Sequence, residues 1–179
     1  MREPAFIREP AIESLDDFDA VYETYYQDVF KTVRSVVIDA SLAEDVTQDA
    51  FVKAYRSRAS YRPIASIGAW LHTIALREAV SKLRWLKLQE RVLAALWQRR
   101  EATRPTFEDR DFVARLLAKA TPRTRAAIGL FYYHGYRYRE IAVILGVPEG
   151  TVATRIANGL KQMRSSVDAA AEEDVSSAR

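Results

Sequence analysis

Cysteine is absent from the 179-residue chain, which excludes a disulfide framework and any thiolate zinc site. Histidine is almost absent, and the isolated pair His72 and His134 cannot make a metal centre by itself. Glycine and proline number six each. With so few chain breakers, and no long stretch of strand-like alternation, the sequence predicts an all-α fold. No apolar run approaches the roughly 18 residues of a membrane span. The opening residues, with Glu3, Pro4, Glu9 and Pro10, lack the basic start and apolar core of a signal peptide. A cytoplasmic protein without membrane insertion is therefore expected. Phosphate-binding loops, metal-ligand clusters and nucleophile–base pairs are missing too, so neither an enzyme nor a cofactor is expected.

What is present is apolar content enough for real cores, 49%, and charge that is unevenly placed. Residues 1–50 carry 4 basic and 12 acidic side chains, whereas 51–100 carry 11 basic and 2 acidic, and 115–164 carry 9 basic and 2 acidic. Two basic segments follow an acidic start. Solvated helix faces are the usual account of such runs, and charge alone favours them; the alternative is two contacts with a polyanion, because lysine and arginine gain affinity by displacing counterions from phosphates.

Periodicity divides the chain into an acidic extension (1–17), a helical domain (18–86), a linker (87–111), a second helical domain (112–167) and a flexible tail (168–179). In the first domain, Phe18, Val21, Tyr22, Tyr25, Val29, Val33 and Val36 recur at helical spacing from Phe18 to Val37. Ser41 and Glu44 form a capping box for a second helix reaching about Arg56, with Ala43, Val46, Ala50 and Ala54 inward and Phe51 and Tyr55 expected in the core. After a connection bracketed by Pro63 and Gly68, a third helix runs from Ala69 to about Trp85. The tail, rich in alanine, serine and acidic residues, is expected to be disordered.

The clearest motif lies between Tyr136 and Met163, where the spacing fits a helix-turn-helix. Ala142 is small where two helices cross, Gly146 can adopt the left-handed turn, and Pro148 suits a helix start. Val152, Ile156, Leu160 and Met163 make the inward stripe of the second helix. Thr151, Thr154, Arg155, Asn158 and Lys161 then lie outside it, as hydroxyl, amide and cationic groups suited to base edges and phosphates in a major groove.

Gly135-Tyr136, Glu140-Ile141-Ala142, Leu145-Gly146-Val147 and Gly150-Thr151-Val152 with Thr154-Arg155-Ile156 resemble the promoter-binding C-terminal domain of extracytoplasmic-function (ECF) sigma factors. Ala43-Glu44-Asp45-Val46-Thr47-Gln48-Asp49-Ala50-Phe51 is similar to that family's helix for binding core RNA polymerase. Ala69-Trp70-Leu71 with Ile74-Ala75 resembles its promoter-melting segment, in the expected order.

The resemblance implies an initiation factor whose first domain binds RNA polymerase core and opens the minus-ten element of promoter DNA, while the second binds the minus-thirty-five element. Asp45, Gln48 and Asp49 are then the polymerase contacts. Tyr61, Arg62 and His72 are candidates for stacking and bonding to a melted strand, and Arg77, Lys82, Arg84 and Lys87 for its phosphates. An anti-sigma factor becomes a possible partner. Ile67, Arg77, Ala153 and the pair Asn158-Gly159 depart from the family's pattern, and Gly159 is expected to weaken its helix by about 1 kcal/mol relative to alanine. The runner-up is a stand-alone helix-turn-helix regulator that binds DNA as a dimer; it would leave the acidic-to-basic N-terminal half unexplained.

Overall fold

The computed structural model describes residues 15–62, 65–96 and 116–177. The described residues are helical with no strand, and the chain divides into two compact units.

In the first unit, α1 (Phe18–Val37), α2 (Ala40–Ser57) and α3 (Ile67–Leu96) all pack on one another. Asp17 caps α1, its carboxylate accepting from the Ala20 amide at 3.1 Å. Val21, Tyr25, Val29, Val33 and Val36 are buried as the spacing predicts. They meet Ala43, Val46, Ala50, Phe51 and Ala54 of α2 and Leu71, Ala75, Leu76 and Ala79 of α3, all buried. The buried hydroxyls Thr32 and Thr47 donate to Asp28 and Ala43 carbonyls, so neither enters the core unsatisfied.

The start of α2 differs from expectation. Its cap is Asp39, whose Oδ1 accepts from the Leu42 amide at 2.8 Å, rather than Ser41. The chain reverses at Ile38, which has φ 74° and donates its amide to the Arg34 carbonyl at 2.9 Å. That turn leaves Asp39 extended at the position a cap requires. Tyr55, expected in the core, is 49% exposed, while Phe51 is buried.

Helix α3 runs on well beyond Trp85, and the first ten residues of the expected linker, 87–96, are helical. No glycine or proline interrupts this stretch, and leucine, lysine, glutamine, glutamate and arginine are good helix formers. Trp97 and the rest of the linker lie outside the described residues, as do 1–14 of the N-terminal extension and Pro63.

The second unit joins a helical turn at 116–118 to α4 (Pro122–Tyr132), α5 (Tyr138–Leu145) and α6 (Glu149–Ser177). Arg125, buried on α4, donates to the carbonyls of Leu117 at 3.5 Å and Ala120 at 3.1 Å. It thereby satisfies the end of the preceding turn. Burial lowers its pKa to about 10, still well above neutrality. Helix α6 continues through Ser177, where composition predicts a flexible tail. The alanines and glutamates at 169–173 have high helix propensity and extend the helix that precedes them.

Candidate nucleic-acid interface

The helix-turn-helix is built by α5 and α6. The Arg137 amide donates to Glu140 Oε2 at 2.7 Å, starting α5. Gly146 ends it with φ 62°, and the Val147 amide returns to the Ala142 carbonyl at 3.0 Å. A side chain at Gly146 would be strained in this left-handed conformation. The Pro148 carbonyl then accepts the first bonds of α6, from Thr151 and Val152. Val152 and Ile156 are buried and fix the helix rotation.

That rotation brings Thr151, Thr154, Arg155 and Asn158 to one groove of about 420 Å³. Thr154 and Asn158 are exposed, Thr151 and Arg155 half-buried. The Thr154 hydroxyl donates to the Gly150 carbonyl at 2.8 Å, which leaves its oxygen lone pairs and methyl to face outward. Lys161 is exposed but does not line the groove.

Sequence reasoning missed three of the groove's polar residues: Thr121, Thr124 and Gln162. Gln162 follows Asn158 by one helical turn, so the period could have found it. Thr121 and Thr124 come from α4, where Thr121 is the N-cap; only the tertiary fold brings them here. Gly159 explains the proximity. A Cβ at that position would stand 2.6 Å from Thr124 Cγ2 and 2.7 Å from Ile128 Cδ1. The glycine expected merely to weaken α6 is therefore what lets α4 and α6 cross so closely.

In the first unit the basic candidates separate. Arg77 and Arg84 are exposed seven residues apart, and exposed Arg91 continues the series. Residues at this spacing share a helix face, with exposed Lys87 beside them. Arg91 was missed because the helix was expected to end before it. Lys82 instead lines a cleft of about 210 Å³ with Val46, Asp49, Glu78, Ser81 and Trp85, on the flank toward α2. Tyr61 packs its ring 5.2 Å from Trp70 and donates its hydroxyl to the Ala65 carbonyl at 2.6 Å, closing the connection into α3. Arg62 is exposed beside it.

His72 is a correction. It is 2% exposed, because it lies on the same inward stripe as Ala69, Ala75, Leu76 and Ala79. A side chain so enclosed cannot meet a nucleic-acid strand while α3 keeps its packing.

Asp45, Gln48 and Asp49 are exposed on α2, opposite its buried stripe. Gln48 hydrogen-bonds the Tyr26 hydroxyl. Burial, then the neighbouring Tyr22 and Glu44, raises the pKa of the Tyr26 phenol, against the lowering effect of Gln48. The group is a neutral phenol at physiological pH.

Comparison with known proteins follows the same division. The model of sigma-70 region 2 matches residues 21–87, and that of sigma-70 region 4 matches residues 113–163. The ECF RNA polymerase sigma factor SigM of Mycobacterium tuberculosis is 29% identical over 141 residues, covering 78% of this chain and 71% of SigM. The ECF sigma factor SigK of Mycolicibacterium vanbaalenii is 28% identical over 173 residues, covering 89% and 86%. This chain belongs to the ECF group of the sigma-70 family.

Two solved structures share the sigma factor's fold. The sigma factor RpoE of Bartonella quintana, in complex with the anti-sigma factor NepR, matches with TM-score 0.71 and 22% identity, covering 85% of this chain and 97% of that one. CnrH, in complex with the cytosolic domain of CnrY, matches with TM-score 0.63 and 24% identity, covering 85% and 88%. A stand-alone regulator is not favoured, since the region 2 match accounts for the half of the chain that such a protein would leave unexplained. Sigma factors act in transcription initiation, directing RNA polymerase to promoters. Among the described residues no helix is long and apolar enough to cross a membrane.

Proposed function

We propose a division of labour within this sigma factor. The groove-lining face of α6, with Thr151, Thr154, Arg155 and Asn158, reads the minus-thirty-five element, and Lys161 adds a phosphate contact beyond the groove. Asp45, Gln48 and Asp49 on α2 hold the polymerase core. Tyr61, Arg62 and the basic face of α3, with Arg77, Arg84 and Lys87, take the minus-ten strand as it opens; Lys82 contributes from the flank. The observation that carries this reading is the convergence of polar α6 side chains on one groove at the start of a helix-turn-helix.

Opening is driven by binding. A base held outside the stack offsets part of the unstacking cost, so nucleotide hydrolysis by this chain is unnecessary. The RpoE and CnrH complexes support a further part of the reading, that an inhibitory protein holds this factor until it is needed.

Permanganate footprinting of unpaired thymines on one supercoiled promoter tests the mechanism, with free chain, core polymerase and their mixture compared without ATP hydrolysis. Reactivity confined to the mixture is expected. Tight dimeric binding by the free chain, with no opening in the mixture, would refute it.

A further inference from the structure

Near its start the chain carries a repeat: Arg2-Glu3-Pro4-Ala5 returns six positions later as Arg8-Glu9-Pro10-Ala11. Proline fixes φ near the polyproline II value and disfavours helix in the residue before it, so binding in polyproline II form costs such a segment little. That form has three residues per turn, and a repeat of six is two turns. Its three edges differ in kind. Pro4, Ile7 and Pro10 make one edge, which is apolar throughout. On one side of it lie Glu3, Phe6, Glu9 and Ile12, and on the other Arg2, Ala5, Arg8 and Ala11. An apolar centre therefore has an acidic flank and a basic one.

The first unit presents a surface of matching character at the start of α1. The rings of Phe18 and Phe51 lie 6.4 Å apart, with Tyr55 5.3 Å from Phe18 and Tyr22 4.9 Å from Phe51. Phe51 is buried, but Tyr22, Val52 and Tyr55 around it are 39%, 48% and 49% exposed. A cluster of large apolar groups left in water marks a docking site. Exposed Asp19 and Glu23 flank it on α1, and exposed Arg56 and Arg58 on α2; the Arg58 guanidinium lies 3.9 Å over the Tyr55 ring. A tyrosine-lined surface, acidic on one side and basic on the other, is the counterpart of those three edges. The tether favours the contact. Ile12 precedes Phe18 by six residues, so it stays within about 20 Å of the patch, and the segment meets the patch at a local concentration on the order of millimolar.

We propose that residues 1–14 dock in polyproline II form across the Tyr22–Val52–Tyr55 surface of their own first unit. Pro4, Ile7 and Pro10 lie against the two tyrosines, Arg2 and Arg8 face Asp19 and Glu23, and Glu3 and Glu9 face Arg56 and Arg58. The segment covers this surface in the free factor and must leave it before another protein takes its place. The contact does not depend on how Asp45, Gln48 and Asp49 are used.

Hydroxyl-radical footprinting of the full-length chain reads the coverage, with oxidation of Tyr22 and Tyr55 compared between wild type and Phe6→Ser/Ile7→Ser. That variant changes no residue of the helical units, so loss of fold does not imitate the result. Oxidation of both tyrosines should rise about threefold, as follows if the tether keeps the segment docked for about two thirds of the time. Tyr132 and Tyr133 of the second unit, each 44% exposed, serve as internal standards and should not change. In the converse experiment, Val52→Glu and Tyr55→Ser, shown to be folded by circular dichroism, should speed tryptic cleavage after Arg8 about threefold, since cleavage tracks the undocked population. Equal oxidation of Tyr22 and Tyr55 in wild type and Phe6→Ser/Ile7→Ser overturns the proposal. A rise at Tyr132 and Tyr133 instead would place the segment on the second unit and overturn it too. Protection that fades on dilution would assign the contact to a second copy, with the same consequence.

Discussion

Two turns with a positive φ are made by opposite kinds of residue. In the second unit, Gly146 turns α5 into α6 at φ 62°, and Gly135 precedes α5 at φ 67°. In the first unit, Ile38 turns α1 into α2 at φ 74° and is buried. A β-branched side chain in this region is strained by about 1–2 kcal/mol, which glycine avoids. The first unit accepts the strain because the same side chain fills its core. The second keeps its turn free of side chains, and beside that turn stands the groove of the proposed promoter contact. The two turns thus differ in what they add: Ile38 lends a side chain to its core, whereas Gly146 turns the chain without one.

The largest test of that contrast is at the α4–α6 crossing. Gly159→Leu would force a bulky side chain against Thr124 and Ile128, already 2.6 and 2.7 Å from a bare Cβ. Overpacking of this kind costs about 3 kcal/mol, well above the gain of about 1 kcal/mol in helix propensity on replacing glycine. Denaturant unfolding followed by hydrogen exchange should show early loss of protection in α4 and α6. Protection in α1–α3 should be preserved.

The same crossing shows where the sequence was legible. Helix existence followed from period, and the α5–α6 turn from Gly146, because both signals are local. The polar stripe of α2 with Asp45, Gln48 and Asp49, all exposed, emerged for the same reason. Gly159 was read as a local weakness because its reason lies 35 residues away, at Thr124. His72 was misplaced because the bulky apolar residues that stand out in the sequence of α3 are Trp70, Leu71, Ile74 and Leu83, of which only Leu71 is buried, while Ala75 and Ala79 mark the inward face beside it. Small alanines carry little weight in a hydrophobic pattern, yet they define this helix's inward face. Thr121 and Thr124 enter the groove from a different helix, which no spacing within α6 reveals.

Arg125 offers a second, smaller test of specific caps. Arg125→Met keeps most of the aliphatic stem and removes the donor to Leu117 and Ala120, at a cost of about 2 kcal/mol. Its pH dependence has a defined sign. Burial holds the folded-state pKa near 10, below the unfolded value, so the cost of burying the charge is constant below pH 10. That cost is relieved only between about 10 and the unfolded value, where the unfolded chain binds the extra proton. The loss in Arg125→Met should therefore be the same in urea titrations at pH 6 and pH 8. A change between them would contradict the assignment.

At Ile38 the contrast between units predicts a reversal. Both Ile38→Ala and Ile38→Gly lose the buried side chain, but only glycine removes the strain of the positive φ. Ile38→Gly should be more stable than Ile38→Ala by about 1 kcal/mol, opposite to the usual order. Gly146→Ala should lose about 1 kcal/mol for the same reason. Thermal unfolding of the three variants checks both signs.

The smallest stability effect should accompany the clearest functional one. Gly150 lies in the first turn of α6 with no atom within 4 Å of where a Cβ would be, and it lines the groove with Thr151 and Thr154. Nothing in the fold requires glycine there. Gly150→Ala should therefore gain about 0.5 kcal/mol, part of the full helix-interior preference for alanine. A methyl group projecting into the groove would nevertheless stand in the path of the DNA strand that the proposed promoter contact places there. Promoter affinity of the polymerase complex should fall by about fivefold, corresponding to about 1 kcal/mol, while the affinity of the factor for core polymerase stays unchanged. Both binding steps, measured separately with Gly159→Leu as the contrasting variant, divide the two glycines of α6 by role: one admits a neighbouring helix, the other leaves room for a ligand. Unchanged promoter affinity in a stabilised Gly150→Ala would place the DNA elsewhere on the helix.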